Sequence, residues 1–191
     1  MKLLDINGNQ RSLEKLRDYQ QLAIYPGSFN PLHKGHLGIY ELLKAEGYHP
    51  VFEISKSRYQ KDPYPDAYFA RLTEQFKGVS ELLVSDAPLF SQKRDQLLEF
   101  NPHWVMGYDT AKRWIDENTR VDEDEHKRIA QMSVIFVGRL SNGVYQAPNT
   151  LIKGDESFQY KILDFRCDIS STEIRNEKSK KQIDLFANQG S

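Results

Sequence analysis

The sequence predicts an α/β fold in which a doubly wound parallel sheet carries helices on both faces. Three observations predict it: short apolar runs recur along the chain, helix-compatible segments separate them, and 191 residues suit one well-packed domain. Strands that alternate with helices are joined by right-handed crossovers, so the sheet is expected to be parallel. This arrangement is Rossmann-like, and its ligands bind at the carboxyl ends of the strands.

The individual elements follow from hydrophobic periodicity and length. Five short apolar runs predict buried strands over residues 22–25, 51–54, 82–85, 104–106 and 134–137. Helices are predicted over residues 34–46, 66–77, 88–100, 109–118 and 123–131.

The composition is that of an ordinary globular protein, with 39% hydrophobic and 28% charged residues. A formal net charge of −1 argues against a general nucleic-acid or membrane-surface binder. Cys167 is the single cysteine, so no intramolecular disulfide can form and a reducing compartment fits. We therefore expect a cytoplasmic protein without nucleic-acid or membrane partners.

The ends of the chain are interpreted separately from the domain. Residues 1–20 lack the apolar core of a signal peptide or membrane span and are predicted to be an N-terminal extension or linker. The domain is predicted over residues 21–187, and residues 188–191 are expected to fray. Three apolar residues near the C-terminus either dock on the domain or mediate a partner contact, which leaves a homo-oligomer open. They are Ile183, Leu185 and Phe186.

The first motif occupies residues 27–36, where the first predicted strand passes into the first predicted helix. Gly27 allows a sharp turn, and Pro31 prevents the helix from starting early. His33 and His36 are three residues apart, a spacing that places both imidazoles on one helix face. The amides of a first helical turn attract anions, so this junction is a candidate phosphate site. The alternatives are two structural or surface histidines, or part of a metal site; a lone cysteine argues against zinc.

The second motif occupies residues 169–175 and predicts another helix start. Ser170 and Glu173 have the spacing of a capping box, and Ser171 and Arg175 lie four residues apart on one helix face. A guanidinium beside a helix N-terminus can hold phosphate oxygens. The alternative is a hydroxyl cluster that only caps a helix.

Together the two motifs resemble those of the nucleotidylyltransferase superfamily. Residues 27–36 read Gly-x-Phe-x-Pro-x-His-x-Gly-His, and residues 169–175 read Ile-Ser-Ser-Thr-x-x-Arg. The pair, in this order, is most similar to the nicotinamide or nicotinate mononucleotide adenylyltransferases within the cytidylyltransferase-like proteins. The resemblance implies transfer of a nucleotidyl group from ATP to a pyridine mononucleotide, giving a dinucleotide and pyrophosphate in NAD biosynthesis. Mg²⁺ is expected to arrive with the triphosphate and to have few protein ligands.

The resemblance also implies roles for individual residues. The catalytic residues would be His33, His36 and Arg175. A Gly-x-Asp segment after the fourth predicted strand would contact the ribose through Asp109, for which a helix N-cap is the alternative. The nucleotide would be bound by Gly27, Ser28, Phe29, Gly35, Gly107, Asp109, Ser170, Ser171 and Thr172.

The acceptor side is expected to involve basic residues that follow the second predicted strand. Family members place basic groups near the acceptor phosphate, so Lys61 and Arg71 are the candidates, although the Lys-Asp-Pro order at 61–63 departs from the family pattern. Trp114 either stacks on a flat base or packs a helix.

Three alternatives remain open from the sequence. Two are related enzymes, a cytidylyltransferase or a phosphopantetheine-type adenylyltransferase. The third is a non-catalytic nucleotide-binding module that kept the phosphate site. His33, where phosphopantetheine enzymes usually have threonine, and the Phe-x-Pro lead before it favour the pyridine nucleotide branch.

Overall fold

A computed structural model describes residues 1–116, 118–141, 144–151 and 158–166 of the chain. The side chains of Ser141 and Asn149 are outside this description. Cys167 and the second motif also fall outside it, together with the predicted frayed tail. Within the described residues, no helix is both long and apolar enough to cross a membrane.

The strands in the described residues form one large sheet and a small hairpin. The large sheet comprises β1 (Lys2–Leu4), β2 (Gln10–Arg11), β3 (Leu22–Pro26), β4 (His49–Ser55), β5 (Leu82–Ser85), β6 (His103–Gly107), β7 (Ser133–Val137) and β10 (Gln159–Leu163). The hairpin comprises β8 (Arg139–Ser141) and β9 (Val144–Gln146).

The helices fill the intervals between the parallel strands. The α-helices in the described residues are α1 (Lys34–Ala45), α2 (Asp66–Glu74), α3 (Phe90–Leu97), α4 (Tyr108–Trp114) and α5 (Glu123–Ile129). The 3-10 helices are Leu13–Asp18, Leu98–Phe100 and Pro148–Leu151.

The sheet order is β10-β7-β6-β3-β4-β5-β1-β2, and the pairs from β10 to β5 are all parallel. The chain moves from β3 outward through β4 and β5, then returns to the other side of β3 with β6. Strand order therefore reverses between β3 and β6. Crevices that bind ligands in doubly wound sheets lie at such reversals, beyond the carboxyl ends of the strands.

Alternate residues of the central strands enter two separate cores, one on each face of the sheet. On one face, Ile24 and Trp104 join side chains of α3, α4 and α5. On the other, Tyr25 and Val105 join side chains of α1 and α2. The predicted α/β, Rossmann-like sheet with helices on both faces is confirmed, as are the five predicted strands and the five predicted helices.

The first 20 residues, expected as an extension or linker, add two antiparallel strands and a 3-10 helix to the fold. β1 pairs with β5, and the turn before β2 is held by Asp5, whose carboxylate accepts bonds from the backbone of Asn7 and Asn9 and from Arg11. Leu3 and Leu16 are buried in the core. This segment is therefore packed as part of the sheet.

A buried ion pair links α3 to the sheet beside the candidate ligand edge. Glu53 of β4 is fully buried and accepts a bond from Lys93 of α3, which is also buried. The Ser85 hydroxyl donates to the same carboxylate at 2.6 Å. Removing one partner of a buried pair leaves the other charge without compensation in a medium that solvates it poorly.

Replacing Lys93 with Met is therefore expected to lower the free energy of unfolding by about 3 kcal/mol or more. The double variant Lys93→Met with Glu53→Gln should recover part of this loss because no charge remains buried. Lys127→Met, at an exposed position of α5, is the matched control and should change stability by less than about 0.5 kcal/mol. Denaturant unfolding measures all three, and equal stability of Lys93→Met and the control would contradict the expectation.

Candidate nucleotide site

The first motif leaves the carboxyl end of β3 at the reversal of strand order. Gly27 donates its amide to the Glu53 carbonyl at 3.0 Å, which fixes the start of the loop against β4. Phe29 turns back under the loop with a φ of 40° and is 2% exposed. Its ring meets those of Phe52 and Phe76 edge-on. Phe29, predicted to bind nucleotide, thus sits in the core beneath the loop, while Ser28 is exposed above it.

Gly27 is required by the packing of Phe29. A Cβ at Gly27 would lie 2.6 Å from the tip of the Phe29 ring, closer than real contacts allow. The ring is confined by Tyr25, Phe52 and Phe76, so it has no space into which it can move. A side chain at position 27 therefore forces the loop or the core to shift.

Gly27→Ala is accordingly expected to destabilise the protein by about 1–3 kcal/mol, the usual cost of overpacking. Gly107→Ala is the control, since a Cβ there meets nothing within 4 Å, and it should cost less than about 1 kcal/mol. Thermal unfolding of both variants makes the comparison. A Gly27→Ala protein as stable as Gly107→Ala would mean that the aromatic cluster yields more easily than its packing indicates.

The two histidines form the N-terminus of α1 and stack on each other. Their ring centroids are 3.7 Å apart with an angle of 24° between the planes. His33 is the N-cap residue, and its Nδ1 accepts from the Gly35 amide at 3.2 Å. His36 Nδ1 accepts from the His33 amide at 3.4 Å, which completes a reciprocal capping box. The helix-face prediction for the pair is confirmed.

These bonds determine the tautomer of both rings. A nitrogen that accepts from an amide carries no proton, so a neutral imidazole held in this way has its proton on Nε2. Burial, together with the nearby His33 ring, lowers the pKa of His36 to about 3, and burial also lowers the pKa of His33. At neutral pH both imidazoles are therefore neutral, and each has an Nε2–H donor.

The low pKa of His36 links stability to pH. The unfolded chain protonates this histidine near pH 6.5, whereas the folded protein resists protonation down to about pH 3. Stability should therefore be complete above about pH 6.5 and fall as pH decreases through this window. His36→Gln removes the titrating ring, so urea unfolding between about pH 7 and pH 4 should show a smaller loss than in the wild type. An unchanged pH slope would place the titration elsewhere.

Helix α2 supports the loop from below. The amide of Gln75, directly after α2, accepts from the Leu32 amide at 2.9 Å and donates to the Phe29 carbonyl at 3.3 Å. The Tyr68 hydroxyl accepts from the Asn30 side chain. Sequence reasoning missed both supports, because more than 35 residues separate each from its partner and neither belongs to a motif.

A second loop flanks the reversal of strand order after β6. Gly107 is the N-cap residue of α4 and is partly exposed. Asp109 lies in the first turn of α4, 72% exposed, and accepts a bond from Arg139. Asp109 is therefore not an N-cap, and its carboxylate is accessible on the edge that also carries the first motif. Arg139, a partner that the sequence did not indicate, belongs to the hairpin after β7.

The chain after β10 approaches α1 before it reaches the second motif. The Phe165 ring covers Gly38 of α1 so closely that a Cβ at Gly38 would lie 2.6 Å from it. β10 is parallel to β7, so this segment follows a strand end at the candidate ligand edge. The predicted phosphate-binding residues of the second motif lie outside the described residues, and they are Ser170, Ser171, Thr172 and Arg175.

The predicted acceptor residues differ in their surroundings. Lys61 is exposed and forms an isolated β-bridge with Arg58 across a turn. Arg71 is also exposed, and its guanidinium lies 5.6 Å from the centre of the Tyr68 ring. Trp114 is 5% exposed and packs edge-on against Tyr59 in the core. So little of its surface is open that stacking on a substrate base would require rearrangement. Of the two alternatives for Trp114, packing in the core describes its position.

Within the described residues, no cluster of three or more His, Cys, Asp or Glu side chains has the arrangement of a metal site. Chemically, the edge offers neutral imidazole donors and the amides at the start of α1. These groups bind anionic oxygens, and phosphates above all.

The chain is similar in sequence to known proteins. Residues 24–177 match the family model described as Cytidylyltransferase-like. A probable nicotinate-nucleotide adenylyltransferase of Klebsiella pneumoniae is 33% identical over 102 residues, covering 52% of this chain and 44% of the relative. One of Helicobacter pylori is 30% identical over 102 residues, covering 51% and 59%. The chain thus matches about half the length of these curated relatives.

Solved structures share the fold. Plasmodium falciparum nicotinic acid mononucleotide adenylyltransferase complexed with NaAD superposes with a TM-score of 0.55 and 15% identity, over 81% of this chain and 82% of that chain. The same enzyme complexed with APC gives a TM-score of 0.51. At this level of identity the likeness concerns the architecture alone.

Proposed function

The chain belongs to the cytidylyltransferase-like family, and from this premise we propose that it transfers the adenylyl group of ATP to nicotinate or nicotinamide mononucleotide. The products are a dinucleotide and pyrophosphate, a step of NAD biosynthesis. The observation that carries the proposal is the stacked histidine pair at the N-terminus of α1, on the edge where strand order reverses. The names of the curated relatives support the choice of a pyridine mononucleotide.

In the proposed reaction, a phosphate oxygen of the mononucleotide attacks the α phosphorus of ATP. A bond forms between them, the bond from the α phosphorus to the bridging oxygen breaks, and pyrophosphate leaves. The attacking phosphate is already ionised, so no protein base is needed and the chain acts by positioning and by stabilising negative charge. Mg²⁺ is part of the substrate, bound to the triphosphate oxygens.

His33 and His36 are proposed to donate hydrogen bonds from Nε2–H to phosphate oxygens. The oxygen that His36 contacts would belong to the α phosphate. Because the Nδ1 atoms are held by backbone amides, the rings need not reorganise when charge develops. The amides of the first turn of α1 add partial positive charge. Arg175 and the hydroxyls of residues 170–172 are proposed to bind the β and γ phosphates.

We assign Asp109 to nucleotide binding, where its exposed carboxylate can accept a hydrogen bond from a ribose hydroxyl. Arg71 is proposed for the acceptor phosphate, because Tyr68 beneath it contacts Asn30 of the first motif loop. Lys61 is proposed to bind the same phosphate.

Pyrophosphate release tests the proposal with ATP, CTP and GTP against nicotinate mononucleotide, nicotinamide mononucleotide and 4-phosphopantetheine. We expect kcat/KM to be highest for ATP with one of the two pyridine mononucleotides. The highest value for CTP with a simple alcohol phosphate would keep the superfamily and reject the branch. Triphosphate binding without turnover for any acceptor would identify a non-catalytic module.

In the same assay His36→Ala should lower kcat by about 100-fold or more, the cost of removing one donor from a developing anion. The change also removes a ring that caps α1 and contacts Phe29, so the melting temperature should fall. The rates are therefore compared at a temperature at which both proteins are folded. His103→Ala, at the opposite end of the sheet in β6, is the control. Equal kcat in the two variants would reject the assignment of His36.

A further inference from the structure

The side chain of Gln75 joins the end of α2 to the first motif loop by three hydrogen bonds. Its Oε1 accepts from the Leu32 amide at 2.9 Å. Its Nε2 donates to the carbonyls of Phe29 at 3.3 Å and Leu72 at 3.2 Å. One amide donor faces the oxygen and two carbonyl acceptors face the nitrogen, so the orientation of the side-chain amide is determined by its surroundings.

Two of these bonds bracket the turn that delivers the histidines. Phe29 opens the turn in the left-handed region of backbone space, with a φ of 40°, and Leu32 closes it immediately before His33. His33 then caps α1, and its own amide holds His36 Nδ1. A change in the turn is therefore transmitted through one peptide bond to both imidazoles.

We propose that Gln75 is a positioning residue for nucleotidyl transfer, which acts by holding this turn so that His33 and His36 meet the reacting phosphate in the correct geometry. The inference rests on the proposed function. It goes beyond the two motifs, since Gln75 belongs to neither and is the C-cap residue of α2. Displacement of catalytic groups by about 1 Å costs on the order of 100-fold in rate, so a support of this kind has a measurable effect.

The competing role for Gln75 is purely structural, because it is also the C-cap residue of α2 and bonds to the Leu72 carbonyl within that helix. The two roles predict different changes. A helix-end residue affects melting temperature and leaves the folded protein with normal turnover. A positioning residue lowers kcat of the folded protein more than it raises KM for the triphosphate, since the lost geometry matters most in the transition state.

Two variants and one control separate these roles. Gln75→Leu removes all three bonds at similar volume. Gln75→Glu keeps an acceptor for the Leu32 amide but places an oxygen against the Phe29 and Leu72 carbonyls. Gln96→Leu, at an exposed position of α3, is the matched control. We expect kcat to fall by about 10- to 100-fold in both Gln75 variants, with KM for ATP changed by less than about threefold.

Amide hydrogen exchange at Leu32 provides a measurement that does not depend on turnover. Exchange should accelerate by about tenfold or more in Gln75→Leu and remain at the wild-type rate in Gln96→Leu. If the wild type turns over no acceptor, the proposed function fails, and Leu32 exchange together with ATP affinity still decides whether Gln75 holds the loop. If Gln75→Leu does not fold, Gln75→Glu is compared with the control by the same measurements.

The outcomes are distinct. A lower kcat with faster Leu32 exchange supports the positioning role. A lower melting temperature with kcat equal to that of Gln96→Leu overturns it and leaves Gln75 as a helix-end residue. Unchanged Leu32 exchange in Gln75→Leu also overturns it, because the turn would then be held by other contacts.

Discussion

The geometry of the candidate site depends on the burial of Phe29. The ring lies beneath its own loop among Tyr25, Phe52 and Phe76. The His36 ring packs edge-on against it, with the two ring centroids 4.9 Å apart. The backbone adopts a left-handed conformation there, which costs about 1–2 kcal/mol for a residue with a Cβ. Burying a phenylalanine side chain contributes about 1.5–3 kcal/mol. Packing therefore matches or exceeds the backbone cost, and the turn is held in this conformation from inside the core.

This arrangement makes the site an extension of one of the two cores. Residues on the α1 and α2 face of the sheet support the loop, whereas the buried pair of Glu53 and Lys93 ties α3 to the strand beside it. The Glu53 carbonyl also accepts the Gly27 amide, so one residue serves the ion pair through its side chain and the loop through its backbone. Loop geometry and sheet packing are consequently coupled, and core substitutions near β4 are expected to alter the loop.

The central strands and helices could be predicted because each is encoded locally. Each of the strands β3 to β7, which are four to seven residues long, contains a short apolar run, and α1 to α5 lie in the intervals. β10 was missed because three of its five residues, Gln159, Tyr160 and Lys161, are exposed and give no apolar run. β1 and β2 were missed because they are only three and two residues long. They are defined by pairing, of β1 with β5 and of β2 with β1, rather than by local sequence.

The site shows the same division between local and distant information. The spacing of His33 and His36 predicted their shared helix face, because helix geometry fixes it. Gln75 and Arg139 carry no such signal, since each reaches its partner across 30 residues or more. The position of Trp114 could not be decided from sequence either. The flat apolar face of an indole suits both a protein core and stacking on a base, and only the fold shows that this side chain is 5% exposed.

The hydrogen bonds at the start of α1 also determine which ions the histidine pair can accept. A transition metal ion would need a lone pair on Nε2, and providing one would move the proton to Nδ1, which already accepts a backbone amide. Metal ligation would therefore break the capping box and release two amides of the helix. Zn²⁺ or Cu²⁺ would have to compete with the helix amides for each imidazole. An anionic oxygen, in contrast, accepts a hydrogen bond from Nε2–H and leaves the helix undisturbed. The cap of α1 thus gives the pair a chemical preference for anions over transition metal cations.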